Sequence, residues 1–116
     1  MSKVLDQAKA HFRDVLAQGL KGPIRVPEWD AEVWYKPALS FHAEAKVIEL
    51  QQAGKTTEAL VEMLIVRALD KNGTALFNKA DKPEIMREVD PGIVLRIITE
   101  MNDPEVVTQV EDALKN

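Results

Sequence analysis

Cysteine is absent from all 116 positions. That excludes a disulfide framework, a thiolate zinc site and a cysteine nucleophile, and it suits a reducing compartment. Histidine is scarce. His11 and His42 stand alone, with no second histidine one turn away, so no imidazole-based metal site is expected. There is no glycine-rich phosphate loop. No apolar run approaches the ~20 residues that a bilayer-spanning helix needs. The first twelve residues mix charge with apolar side chains, unlike a secretory signal. No basic run exceeds two residues, and the formal net charge is −4. A nucleic-acid binder usually carries a basic face, so neither nucleic acid nor a membrane is an expected partner. The expectation is a soluble, intracellular protein.

What remains is an apolar-rich chain. Hydrophobic residues make up 46% of it, which argues against disorder over most of its length. The length fits one domain, residues 1–116, with a core that needs no metal or disulfide. The most apolar stretch is residues 56–77, TTEALVEMLIVRALDKNGTALF. Between Ala59 and Leu69 only Glu62 and Arg67 are charged. A helix apolar nearly all round is buried on most sides, and at ~1.5 Å per residue this one spans roughly 20 Å. Thr56 or Thr57 is the expected N-cap, with Glu58 in the first turn. Asp70-Lys71-Asn72-Gly73 ends the pattern in a reversal, because Asn and Gly tolerate positive φ. Leu76 and Phe77 then fold back to seal the helix end.

The chain opens with an amphipathic helix over residues 3–18. Leu5, Ala8, Phe12, Val15 and Leu16 form its single apolar stripe. Such stripes mostly pack on their own domain; docking on a partner is the sharper alternative. Gly19, Gly22 and Pro23 end the helix. A β-hairpin follows over residues 24–36. Ile24-Arg25-Val26 alternates, and Val33-Trp34-Tyr35-Lys36 is β-branched and aromatic. A lone hairpin is marginal in water, so it must lie on helices or pair its free edges with another chain. Both tryptophans and the only tyrosine fall here, at Trp29, Trp34 and Tyr35. Aromatic residues with a polar tip are common at interfaces. Trp34 and Tyr35 are expected on opposite faces, one of them in the core.

Helices account for the rest, with a helical core over residues 40–102. Ser40 caps a helix whose inward side is read as Phe41, Ala45, Ile48 and Leu50, and Gly54 closes it. Asp81-Lys82-Pro83-Glu84 has capping-box spacing and starts a short helix carrying Ile85, Met86 and Val89. Asp90-Pro91 starts another, with Arg96 paired to Glu100 and Asn102 at its end. A last helix covers residues 104–115, with Val106, Val110 and Leu114 in line. The fold class is therefore mainly α: a compact domain of about five to six helices with one β-hairpin near the N-terminus.

Chemical motifs are missing. The segment beginning at Asp70 is no calcium loop, since its glycine is fourth where the sixth is required, and Leu76 and Phe77 fill ligand positions. Ser40 and His42 are too close in sequence to form a nucleophile–base pair, and the hairpin carboxylates Glu28, Asp30 and Glu32 read as a solvated charge run. No catalytic constellation is present. A helix-turn-helix over residues 81–101 is also rejected, because a recognition helix needs polar side chains and this one carries Ile, Val and Leu.

Three segments carry a family resemblance. Val26-Pro27-Glu28-Trp29, then Val33-Trp34-Tyr35 running to Pro37-Ala38-Leu39-Ser40, resembles the hairpin of the tail assembly chaperones of long-tailed phages. Arg67-Ala68-Leu69-Asp70 with Asn72-Gly73, Leu76-Phe77 and Asp81 resembles that family's next signature, and Pro91, Ile97 and Met101-Asn102 its closing helix. The resemblance implies a non-catalytic protein without cofactors. Such a protein binds the helical tape-measure protein, helps recruit the major tail tube protein, acts in the host bacterial cytoplasm and is absent from the mature virion. Leu5, Phe12, Trp29, Trp34, Tyr35, Val106, Val110 and Leu114 are the expected partner-binding residues, with homo-oligomerisation through the hairpin edge. The alternative is a small helical adaptor or regulatory protein-binding domain.

Overall fold

The computed structural model describes residues 2–102; the expected helix over residues 104–115, with Val106, Val110 and Leu114, lies outside them. Five α-helices and one hairpin organise the described residues. They are α1 (Lys3–Leu16), β1 (Lys21–Val26), β2 (Ala31–Tyr35), α2 (Phe41–Gln52), α3 (Thr56–Arg67), α4 (Lys82–Glu88) and α5 (Pro91–Asn102). Two 3₁₀ turns, Pro27–Trp29 and Lys79–Asp81, join them. The mainly helical fold with one antiparallel hairpin matches the sequence expectation. No helix among the described residues is long and apolar enough to cross a membrane.

The apolar stretch at the middle of the chain is the centre of the core. Ala59, Val61, Glu62, Leu64 and Ile65 of α3 are buried, and Leu64 is fully enclosed. On one side α3 meets Val47 and Leu50 of α2. On the other it joins Ile24, Val26, Val33 and Tyr35 of the hairpin, Ile85 of α4, and Val94, Ile97, Ile98 and Met101 of α5. The α5 stripe therefore faces inward, as its composition demands.

Local capping differs from expectation in two places. Lys55, and not a threonine, is the N-cap of α3 and makes no side-chain cap bond; Thr56 is already helical. The capping box lies three residues upstream of Asp81: the Asn78 side chain accepts from the Ala80 N–H, and the Asp81 carboxylate accepts from the Asn78 N–H. Asn78 caps as well as Asp does, and placing it first lets Asp81 supply the reciprocal acceptor. Ser40 does cap α2, accepting from the Ala43 N–H at 3.1 Å. Gly54, at φ +76°, closes that helix as expected.

The hairpin starts earlier than residue 24, at Lys21, with an irregularity between Lys21 and Ile24. Gly22 is required there. Its φ is +123°, and a Cβ would approach the Val33 carbonyl oxygen to 2.9 Å. The hairpin lies on α3 and α5, which resolves its marginal stability. One of its edges is also taken. The Trp34 N–H donates to the Leu69 carbonyl at 2.8 Å, and the Leu69 N–H donates back to Trp34 at 2.9 Å. Ala68 leaves the helix in an extended conformation to allow this. The Asp70 carboxylate then accepts from the N–H groups of Asn72 and Thr74, and the turn closes with Leu69 facing Ala75.

Candidate interaction surface

Helix α1 is amphipathic, yet none of its residues is buried. The stripe therefore packs on the domain only in part, at Phe12 and Val15. Val4 is 71% exposed and Leu5 48%, while Phe12 and Val15 are half-buried. The helix touches the domain along a shallow groove lined by Ala8, Lys9, Phe12, Leu39, Ser40 and Phe41. Phe41 is 85% exposed, which corrects its placement on the inward side of α2. The reason is angular. At about 100° per residue, Phe41 lies nine positions from Leu50 and so on the opposite side of the helix. Val47 and Leu50 fix the buried side against Ala59, and Ala45 is exposed with Phe41. Leu5, Phe12 and Phe41 thus contribute to one apolar surface at the junction of α1 and α2.

The hairpin aromatics divide differently. Tyr35 is buried among core residues, with the Arg67 guanidinium carbon 5.9 Å from its ring centre. It is removed from the partner-binding set, because a ring so enclosed offers no surface. Trp29 is half-buried and stands edge-on to Phe77, ring centres 6.1 Å apart. Its aromatic contact is intramolecular, as suits a T-shaped pair. Phe77 does help close the core, whereas Leu76 remains 38% exposed. Trp34 keeps a partly open face beside Glu32 and the Asp70-Lys71-Asn72 turn. Trp34 and Tyr35 do point to opposite faces of β2, as alternation requires.

Three charged groups tie the core elements to one another. Arg67 donates to the Asn102 side chain and, at 3.4 Å, to the Met101 carbonyl at the end of α5. A cation there complements the helix dipole. Burial lowers its pKa, opposed by Glu44 in the first turn of α2 and by Tyr35. Its Nε–H is buried without an acceptor. Asn102 therefore serves as a partner of Arg67 at the helix end. Second, Lys82 bridges Glu62 at 2.9 Å and Glu58 at 3.3 Å. Hydrogen bonding to Glu62 raises its pKa despite desolvation. Third, Arg96 reaches Glu28 on the hairpin turn with two bonds of 2.8 and 3.0 Å, and not Glu100 as expected. The fork-to-carboxylate geometry outcompetes a neighbour one turn away. Arg96 holds the Glu28 carboxyl down to about 2. Sequence spacing could not reveal these long-range partners, although isolated charges in apolar helices were the available signal.

Two further clefts exist. One of about 100 Å³ lies between α3, α4 and the start of α5, lined by Leu60, Ile85, Met86, Val89 and neighbours. A second of about 80 Å³ is lined by Lys36, Leu39, Val66, Arg67, Leu69 and Gly73. Among the described residues no group of three or more acidic or histidine side chains could hold a metal ion. Comparison with protein-family models, with curated proteins and with solved structures finds no match to this chain.

Proposed function

We propose that this chain is a non-catalytic tail assembly chaperone of a long-tailed phage or prophage. In this reading it binds the tape-measure protein, keeps it soluble in the host bacterial cytoplasm, helps recruit the major tail tube protein, and is left out of the mature virion. The resemblance in the hairpin, the Asp70 turn and α5 supports the family. The observation that carries the activity is the unburied stripe of α1 beside Phe41. A holdase for apolar helices needs apolar surface that its own core does not consume. An amphipathic helix from a partner would meet Leu5, Phe12 and Phe41, with Trp34 as a separate contact.

The test is co-purification of the tape-measure protein co-expressed with the wild type or with Phe12→Asp. Phe12 is only half-buried, so the variant keeps its core. Recovery of the tape-measure protein should fall at least about tenfold, the effect of losing roughly 1.4 kcal/mol of binding. Equal recovery by the variant would remove α1 from the partner site.

A further inference from the structure

We propose that Asn72 is a site of spontaneous covalent modification, and that the modification loosens the turn that holds Leu69 on the edge of β2. Asn72 and Gly73 form the tip of the turn that follows α3, and both are exposed. Gly73 lies at φ +84° and has no Cβ to shield its backbone nitrogen from the Asn72 side chain. Its N–H donates to the Asp70 carbonyl at 3.0 Å. That bond must open before the nitrogen can react, and at an exposed turn tip local opening costs little. Asn72 is tied through its backbone N–H to the Asp70 carboxylate, and its carboxamide makes no hydrogen bond among the described residues. The two other described asparagines are held. The Asn78 carboxamide oxygen accepts from the Ala80 N–H at 2.9 Å inside the capping box, and Lys79 follows it. The Asn102 oxygen accepts from Arg67, and Asp103 follows it.

The Gly73 nitrogen, once its proton has passed to solvent, attacks Cγ of Asn72. A C–N bond forms, the Cγ–Nδ2 bond breaks, and ammonia leaves with a proton returned from solvent. The product is a cyclic imide, and water then cleaves either of its two C–N bonds to the Gly73 nitrogen. Cleavage at Cγ gives aspartate on the original backbone. Cleavage at the Asn72 carbonyl carbon gives isoaspartate, with the chain routed through the side chain. Either product adds a negative charge beside Asp70 and Glu32, which line one hollow with Trp34. The turn is poorly built to absorb this. The Asp70 carboxylate accepts from the Asn72 N–H at 2.8 Å and from the Thr74 N–H at 3.0 Å. Isoaspartate places an extra backbone atom between those donors, so one carboxylate cannot keep both bonds. The same turn sets Leu69 opposite Ala75 and, through Leu69, closes the edge of β2 at Trp34. The inference does not depend on what the protein binds.

In the test the full chain is aged at mildly alkaline pH and digested in heavy-oxygen water, which marks any conversion during work-up. Peptide masses should show amide-to-acid conversion at least about tenfold faster at Asn72 than at Asn78 or Asn102, a barrier difference of roughly 1.4 kcal/mol. An isoaspartyl methyltransferase should label the peptide that holds residue 72. Asn72→Gln, whose longer side chain disfavours the ring, should lose that label. Amide exchange at Leu69 and Trp34 should quicken in the aged chain relative to the fresh one, while exchange at Leu64, fully buried in the core, stays the same. Conversion at Asn78 or Asn102 as fast as at Asn72, or none at Asn72, overturns the site. Equal exchange in aged and fresh chains overturns the loosening.

Discussion

Two side chains illustrate how a charge can belong to a core. Glu62 is 8% exposed, on a helix otherwise apolar on that side, and Lys82 neutralises it from the turn into α4. Removing one partner of such a pair leaves a shielded charge unsatisfied, whereas removing both need not. Lys82→Met should therefore destabilise the domain by about 1–3 kcal/mol. The double variant Glu62→Leu with Lys82→Met should recover most of that loss. Urea unfolding of the three proteins checks the order. The Glu28–Arg96 pair is exposed, and its signature is pH dependence. Glu28 is depressed from 4.5 to about 2 by Arg96. A lowered carboxylate pKa stabilises the fold above 4.5, and this contribution is lost as pH falls towards 2. Wild type and Arg96→Ala should differ slightly in melting temperature at neutral pH and converge across that acid window. A constant gap would show that Arg96 acts by packing alone. Neither pairing was legible in the sequence, because Glu28 and Arg96 are brought together only when the hairpin lies on α5.

At the scale of the element, local pattern was the better guide. The amphipathic N-terminal helix, the hairpin, and the helices begun by Ser40 and Asp90-Pro91 form close to where their caps and periodicities put them. Boundaries moved where a long-range bond competed. The central helix stops at Arg67 because Ala68 turns extended and Leu69 is diverted to pair with Trp34. The inward side of α2 differs from expectation for a related reason. A stripe shows which residues share a face, but not which face meets a neighbour. Substitution separates the two outcomes. Leu64→Ala, in the fully buried part of α3, should cost about 2–5 kcal/mol. Phe41→Ala should change stability by no more than about 0.5 kcal/mol. Thermal melts of both variants measure the contrast directly, and a large loss in Phe41→Ala would place that ring in the core after all.

At the scale of the molecule, the hairpin limits how copies can join. The edge of β2 is engaged at Trp34 by Leu69, so edge pairing between subunits falls to β1. That strand contains Pro23, which has no N–H to donate, and so the pairing surface runs over Ile24, Arg25 and Val26. A homo-oligomer formed there should dissociate in Arg25→Pro, which removes the outward N–H that the alternation of the ladder leaves free. Size-exclusion chromatography with light scattering reads this. A wild-type chain that stays monomeric at all concentrations would exclude edge pairing.

The sequence by itself determined the helical class, the hairpin, the buried central stretch and the caps at Ser40 and Gly54. Those depend on periodicity and on side chains that bond within a few residues. The tertiary structure alone decided that Tyr35 is core, that Leu69 closes one hairpin edge, that Arg96 turns to Glu28, and that α1 and Phe41 face outward. Each of these is a competition between groups far apart in the chain. The residues between them carry no mark of the outcome, because burial and pairing are properties of the neighbours that folding brings together.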